Sequence, residues 1–213
     1  MVLHTTESDP GTCTAVANYL VNMGYEPHEV FDPSNGDLIQ LLPPSEPGKA
    51  LLNLPGGVET NRRGGVYQIE IVGHATDTPQ YDDAWYERLS VRLRAVCEMT
   101  GTPYVFPLPF EPYPQSYGKN LTRMSYDDWL IFEGCCGHSH VPENDHGDPG
   151  ALDIERLDIV TQADIEAIAA RSAQLVWERV LEVLNDAGQL EKHAAIDVLG
   201  FTYEQARRTA LKP

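Results

Sequence analysis

The stretch VYQIEIV at residues 66–72 is the clearest strand in the chain, and it decides the fold class. Its side chains follow the two-residue period of a strand, which places Gln68 and Glu70 on one face and Tyr67 and Ile69 on the other. A buried carboxylate without a partner is costly, so Glu70 is either exposed to solvent or part of a functional site. This strand therefore supplies a core element and the first candidate site residue.

Elements on both sides of this strand alternate between helix and strand, which favours α/β layers. Gly24 and Gly101 mark the ends of two helices, and Ser125 with Asp128 marks the start of a third. The apolar spacing within each segment assigns its type. Strands are predicted at 2–4, 37–42 and 50–54, a strand or extended chain at 104–110, and helices at 12–23, 82–100 and 125–132.

Residues beyond about 155 follow a different pattern, with apolar side chains such as Ile165 and Ile168 at helical spacing. Such spacing predicts amphipathic helices whose apolar faces must be buried against another surface. We therefore predict a main domain over residues 1–155 and an all-helical C-terminal extension over residues 156–213.

The composition excludes several classes of partner. The chain has 32 acidic and 15 basic residues, for a net charge of −17, which argues against nucleic acid and an anionic membrane surface. No apolar run approaches the roughly 18–20 residues of a membrane span, and MVLHTTESDP at 1–10 has no signal-peptide pattern. The four cysteines, including adjacent Cys135 and Cys136, predict reduced and mostly buried thiols.

The segment GHSHVPENDHGDPG at residues 137–150 concentrates potential metal ligands. Its prolines and glycines predict a loop of defined shape. Imidazole and carboxylate groups on a rigid loop are typical of zinc sites, although a solvated polar loop has the same composition. The segment holds three histidines and three acidic residues, namely His138, His140, His146, Glu143, Asp145 and Asp148.

A further metal ligand is expected from outside this loop, because a catalytic zinc ion usually has three protein ligands and one open position. Four other histidines are candidates: His4, His28, His74 and His193. The place of His4 at the end of a predicted strand favours it only modestly, and spacing does not decide among the four.

Three stretches of the chain resemble the zinc-dependent N-acetylmuramoyl-L-alanine amidases of the type 2 family, which share a fold with peptidoglycan recognition proteins. VLHTTE at 2–7 resembles the family's first strand, and VYQIEIVG at 66–73 resembles the strand with the catalytic glutamate. WLIFEGCCGHSHVPENDHGDPG at 129–150 is similar to the C-terminal motif of endolysins from actinobacterial phages. The resemblance covers about residues 1–155 and implies a central mixed β-sheet flanked by helices.

Position by position, the resemblance implies that His4, His138 and Asp148 bind Zn2+ and that Glu70 is the acid/base residue. His146 stands where many relatives have a lysine that stabilises the transition state. A lysine is charged at neutral pH, whereas a histidine, with an ordinary pKa of about 6.5, need not be. If His146 takes this role, activity should depend on pH; a structural role for His146 is the alternative.

The resemblance implies a hydrolase of bacterial peptidoglycan that cleaves the amide between N-acetylmuramic acid and L-alanine during phage lysis. Such an endolysin would be made in the host cytoplasm and then released to the cell wall. A recognition module that binds without cleaving, and a zinc hydrolase for another amide or ester, are the alternatives. The sequence leaves open the oligomeric state, the host, and whether the extension binds the wall, mediates oligomerisation or packs on the main domain.

Overall fold

The computed structural model describes residues 1–62 and 65–158, and these residues form an α/β fold around a mixed five-stranded sheet. The strands are β1 (Val2–Thr5), β2 (Glu29–Asp32), β3 (Asp37–Gln40), β4 (Gln68–Ile71) and β5 (Cys136–Gly137). The helices are α1 (Cys13–Met23), α2 (Asp83–Thr100) and α3 (Tyr126–Ile131), with 3-10 turns at Thr78–Gln80, His138–His140 and Arg156–Asp158. The predicted fold class is thereby confirmed for the described residues.

The strand order brings the candidate site residues together at the carboxyl ends of the parallel strands. The order is β3-β2-β4-β1-β5, and every neighbouring pair is parallel except β2 with β3. His4 of β1 lies opposite Glu70 of β4, and Leu3 lies opposite Gly137 of β5. His138, one residue beyond Gly137, therefore lies at the same end of the strands as His4 and Glu70. Crevices at the carboxyl ends of parallel strands are a common place for ligands.

Helix α2 packs against the strands that carry these residues. It begins at Asp82, whose carboxylate accepts a hydrogen bond from a backbone N–H of the first turn at 2.8 Å. It ends at Gly101, which has a left-handed φ of 72°. Leu89 and Leu93 on its apolar face are fully buried in the main core with side chains of β1 and β4. Burial of each such leucine stabilises the fold by about 1.5–3 kcal/mol.

The other two predicted helices are also confirmed, with ends that differ by one residue from the prediction. Gly24 terminates α1 with a φ of 75°, and the Ser125 hydroxyl and Asp128 carboxylate form a capping box at the start of α3. The buried side of α1 packs on Val30 of β2 and on Val72 just beyond β4.

The predicted strand at residues 50–54 is wrong, because side chains satisfy its backbone instead of a neighbouring strand. The Leu51 N–H and carbonyl bond to the Asn61 amide at 3.3 and 2.6 Å. The Leu52 N–H donates to the Asn144 side chain at 2.8 Å. Residues 104–110, predicted as a strand or extended chain, do not form a strand.

Strand β2 was not predicted, because EVFD at residues 29–32 has a charged residue at each end. The structure buries the Glu29 side chain completely. Arg92 Nε of α2 donates to its carboxylate at 2.8 Å, and the Tyr67 hydroxyl donates to it at 2.7 Å. A cation and a second donor offset the cost of placing this carboxylate inside the sheet.

Replacing Arg92 with alanine is expected to lower the free energy of unfolding by about 3–5 kcal/mol, because it leaves the buried Glu29 carboxylate without its cation. Lys49→Ala is the matched control, since Lys49 is half exposed and pairs with Glu26 at 3.0 Å; its loss should cost about 0–1 kcal/mol. Urea unfolding of both variants measures the difference. Equal losses would mean that burial of Glu29 does not depend on the ion pair.

The predicted helical extension lies almost entirely outside the described residues. Only its first residues are described, in the 3-10 turn Arg156–Asp158, and the Leu157 side chain belongs to the main core. The helices predicted further on, and His193, stay predictions. Among residues 1–62 and 65–158, no helix has the length and apolar character needed to span a membrane.

Candidate metal centre

His4, His138 and Asp148 converge at the carboxyl edge of the sheet and form a buried group that could hold a metal ion. The two Nδ1 atoms of the histidines lie 3.0 Å apart. One Asp148 carboxylate oxygen lies 3.6 Å from His4 Nδ1, and the other lies 3.3 Å from His138 Nδ1. All three residues are less than one-tenth exposed.

The two ends of the loop at residues 137–150 pack closely together, and this packing brings Asp148 to the carboxyl end of β1. The Asp148 carbonyl accepts a hydrogen bond from Ser139 N–H at 3.0 Å, and its carboxylate accepts one from Thr5 N–H at 3.3 Å. A Cβ atom at Gly137 would lie 2.5 Å from a Pro149 ring carbon, and one at Gly150 would lie 2.1 Å from a backbone carbonyl oxygen. Glycine at both ends therefore permits the contact that places the carboxylate.

The spacing of the potential ligand atoms is close to that around a zinc ion. Nitrogen and oxygen ligands at about 2.0–2.1 Å from a tetrahedral zinc ion lie roughly 3.4 Å from one another. The two Nδ1 atoms are 3.0 Å apart, and each lies 3.3 or 3.6 Å from a different oxygen of the Asp148 carboxylate.

The ionisation states also suit a cation. Burial, and then the nearby His138, lower the pKa of His4 to about 3, so its imidazole is neutral at pH 7. Burial opposes ionisation of Asp148, but the adjacent imidazoles of His138 and His4 lower its pKa below the ordinary value. Neutral imidazole and ionised carboxylate are the forms that ligate metals.

Glu70 lies beside this group without belonging to it. Its Oε1 atom is 3.9 Å from His4 Nδ1, and the side chain is 11% exposed. Burial, and then the charges of Asp148 and Glu7, raise the pKa of Glu70 well above its ordinary range. A carboxyl group with a raised pKa is a better proton acceptor when ionised, which suits it to general acid/base chemistry.

His146 covers one side of the group and is open to solvent on the other. Its ring stacks on the His138 ring with centroids 4.3 Å apart, and its Nδ1 atom lies 3.7 Å from an Asp148 oxygen. The side chain is 67% exposed. Desolvation of the stacked face, and then the nearby His138, lower the pKa of His146, so the imidazole is neutral at pH 7. A neutral imidazole can donate one hydrogen bond but carries no charge.

The remaining described histidines lie outside the ligand group. His140 accepts a hydrogen bond from Gly137 N–H and contacts the Pro109 carbonyl, both at 3.0 Å. His28 is buried against Tyr67, with ring centroids 4.4 Å apart. His74 is one-third exposed and lies beside Glu7 and Asp9, at 3.7 and 3.3 Å.

Asn144 is the neighbour of the ligand group that the sequence reasoning missed. Its Oδ1 atom lies 2.9 Å from His138 Nε2, the ring nitrogen that faces away from the group. The one feature of the sequence that could have identified Asn144 is its place as a polar residue in the Pro- and Gly-bounded loop, two positions before His146.

No family model, curated protein or solved structure matches this chain.

Proposed function

We propose that this chain is a zinc-dependent amide hydrolase that cleaves the bond between N-acetylmuramic acid and L-alanine in peptidoglycan, as the catalytic part of a phage endolysin. One observation carries the reaction type: a buried group of two imidazoles and one carboxylate lies 3.9 Å from a carboxyl group with a raised pKa. The substrate rests on the resemblance of three stretches to type 2 amidases.

Zinc is the metal that the donor set favours. Two imidazole nitrogens and one carboxylate, with one position left open, are typical of catalytic zinc sites. His4, His138 and Asp148 would hold the ion. When bound, zinc supplies Lewis-acid chemistry: it polarises a carbonyl and lowers the pKa of a water molecule from about 15.7 toward 7.

Glu70 is the residue that moves the proton. Its carboxylate accepts a proton from the water molecule whose oxygen forms the new bond to the amide carbon. It then delivers that proton to the amide nitrogen as the carbon–nitrogen bond breaks, so the products are a free carboxylic acid and a free amine. The buried position of Glu70 keeps bulk water from replacing it in either transfer.

His146 is placed to donate a hydrogen bond to the oxygen that gains negative charge during the reaction. The stacking on His138 fixes its ring beside the ligand group, and its exposed side is open to a substrate. Because the imidazole is neutral at pH 7, its contribution is that of a hydrogen-bond donor rather than a charge. In this respect it differs from the lysine of many type 2 amidases.

Digestion of purified actinobacterial peptidoglycan tests the proposal. Metal-loaded protein is expected to release fragments with new L-alanine amino termini, which mass spectrometry detects. Chelator-stripped protein should release none, and added zinc should restore the release. Binding to the wall without new amino termini, in a zinc-loaded sample, would replace the hydrolase with a recognition module; new termini from another bond would replace the substrate assignment.

A further inference from the structure

The outer ring nitrogen of His138 is held by a side chain with a fixed orientation. Asn144 is 1% exposed, and its Nδ2 atom faces the carbonyls of Pro142 and Leu52 at 2.7 and 3.3 Å. Its Oδ1 atom accepts the Leu52 N–H at 2.8 Å. These bonds determine which end of the amide faces His138, since exchanging oxygen and nitrogen would set acceptor against acceptor and donor against donor.

The orientation of Asn144 determines the tautomer of His138. The Oδ1 atom can only accept, so His138 Nε2 carries the proton and donates it at 2.9 Å. His138 Nδ1 is then without a proton, and its lone pair points toward His4 and Asp148. That is the tautomer which a metal bound by Nδ1 requires.

The two histidines of the ligand group differ in this respect. His4 Nε2 is buried and has no hydrogen-bond partner among residues 1–62 and 65–158. His4 lies within strand β1, whereas His138 follows β5 in a short 3-10 turn. Of these two rings, the His138 ring is the one whose outer nitrogen has a hydrogen-bond partner among the described residues.

We propose that Asn144 is a positioning residue for the metal centre, which holds His138 in the metal-binding tautomer and joins it to the backbone of Leu52. The proposal rests on the metal site of the proposed function. Leu52 belongs to the segment whose predicted strand is absent, and Asn144 satisfies both its N–H and its carbonyl. Loss of the hydrogen-bond partner on the outer ring nitrogen of a ligating histidine typically weakens metal affinity by about 10–100-fold.

Zinc titration of the full chain against a chromophoric chelator tests the proposal. Asn144→Leu should raise the zinc Kd by about 10–100-fold. Asn144→Asp, which keeps an oxygen for His138 but loses the donors to Pro142 and Leu52, should have an intermediate Kd. Asn61→Leu is the matched control: Asn61 is also buried and bonds the backbone of Leu51 in the same segment, but it does not touch a histidine. Its zinc Kd should equal that of the wild type.

A second readout needs no metal. At about pH 8, above the ordinary histidine pKa of about 6.5, ring nitrogen NMR shifts report the tautomer directly. The wild type and Asn61→Leu should show His138 with its proton on Nε2, and Asn144→Leu should show a mixture of both tautomers.

The two readouts separate failure of this inference from failure of the proposed function. If the wild type binds no zinc, the metal assignment fails, and the NMR shifts alone decide the role of Asn144. If the wild type binds zinc and Asn144→Leu binds it equally well with the same tautomer, the inference is overturned. Should Asn144→Leu not fold, the Kd and shifts of Asn144→Asp decide, and wild-type values for both would overturn it.

Discussion

Alanine in place of His138 is expected to abolish stoichiometric zinc binding and, with it, the release of L-alanine termini. His138 Nδ1 contacts both other members of the group, at 3.0 Å from His4 Nδ1 and 3.3 Å from an Asp148 oxygen. The variant keeps one imidazole and one carboxylate, fewer than the three protein ligands of a catalytic zinc site. Since loss of an outer partner costs about 10–100-fold in affinity, loss of a ligand should cost more. Metal analysis after dialysis measures the zinc content.

His28→Ala is the matched control for this prediction. His28 is equally buried but bonds the Glu46 carbonyl and Gln68 N–H, at 3.0 and 3.1 Å, outside the ligand group. Its alanine variant should lose some stability and keep its zinc. His4→Ala should behave as His138→Ala does, so the test does not depend on the folding of one variant. A folded His138→Ala protein that retained one zinc per chain would place the ion elsewhere.

The family resemblance implied the three residues of the candidate metal group, but no local pattern explains why they meet. Spacing alone left His4, His28, His74 and His193 as candidate ligands, because sequence distance says nothing about which strands pair. The parallel pairing of β1 with β4 sets His4 opposite Glu70, and β5 adds His138 on the other side of β1. Register between distant strands is a tertiary property, and no local pattern contains it.

Two parts of the fold were predicted incorrectly, and in both a side chain from a distant part of the chain determines the local structure. Glu29 can lie within a buried strand only because Arg92, from a helix far along the chain, supplies its cation. Leu52 lacks a strand partner because the Asn144 amide bonds both of its backbone groups. In each case a tertiary contact outweighs the local pattern, which is why propensity and periodicity alone failed there.

Glutamine in place of Glu70 is expected to keep zinc binding and lower the rate of hydrolysis by about 10²–10⁴-fold. Glutamine has nearly the same shape but can neither accept nor deliver the proton. Glu70 Oε1 lies 3.9 Å from His4 Nδ1, farther than the 3.0–3.6 Å contacts among His4, His138 and Asp148, so the substitution leaves these three ligands in place. Zinc content and the initial rate of release of alanine termini are the two measurements.

Glu70→Gln has a further consequence that separates a functional carboxyl from a structural one. Because burial raises the pKa of Glu70, the protonated carboxyl is favourable at low pH, and that stability is lost as the pH rises through the raised pKa. Glutamine never ionises, so metal-free Glu70→Gln should have a higher Tm at pH 7 than the metal-free wild type. Glu98→Gln, at an exposed position on α2, should change neither Tm nor rate. If Glu70→Gln has a lower Tm and an unchanged rate, Glu70 is a structural residue. A carboxylate kept for catalysis lowers the stability of the protein, so its neutral replacement should raise the Tm instead.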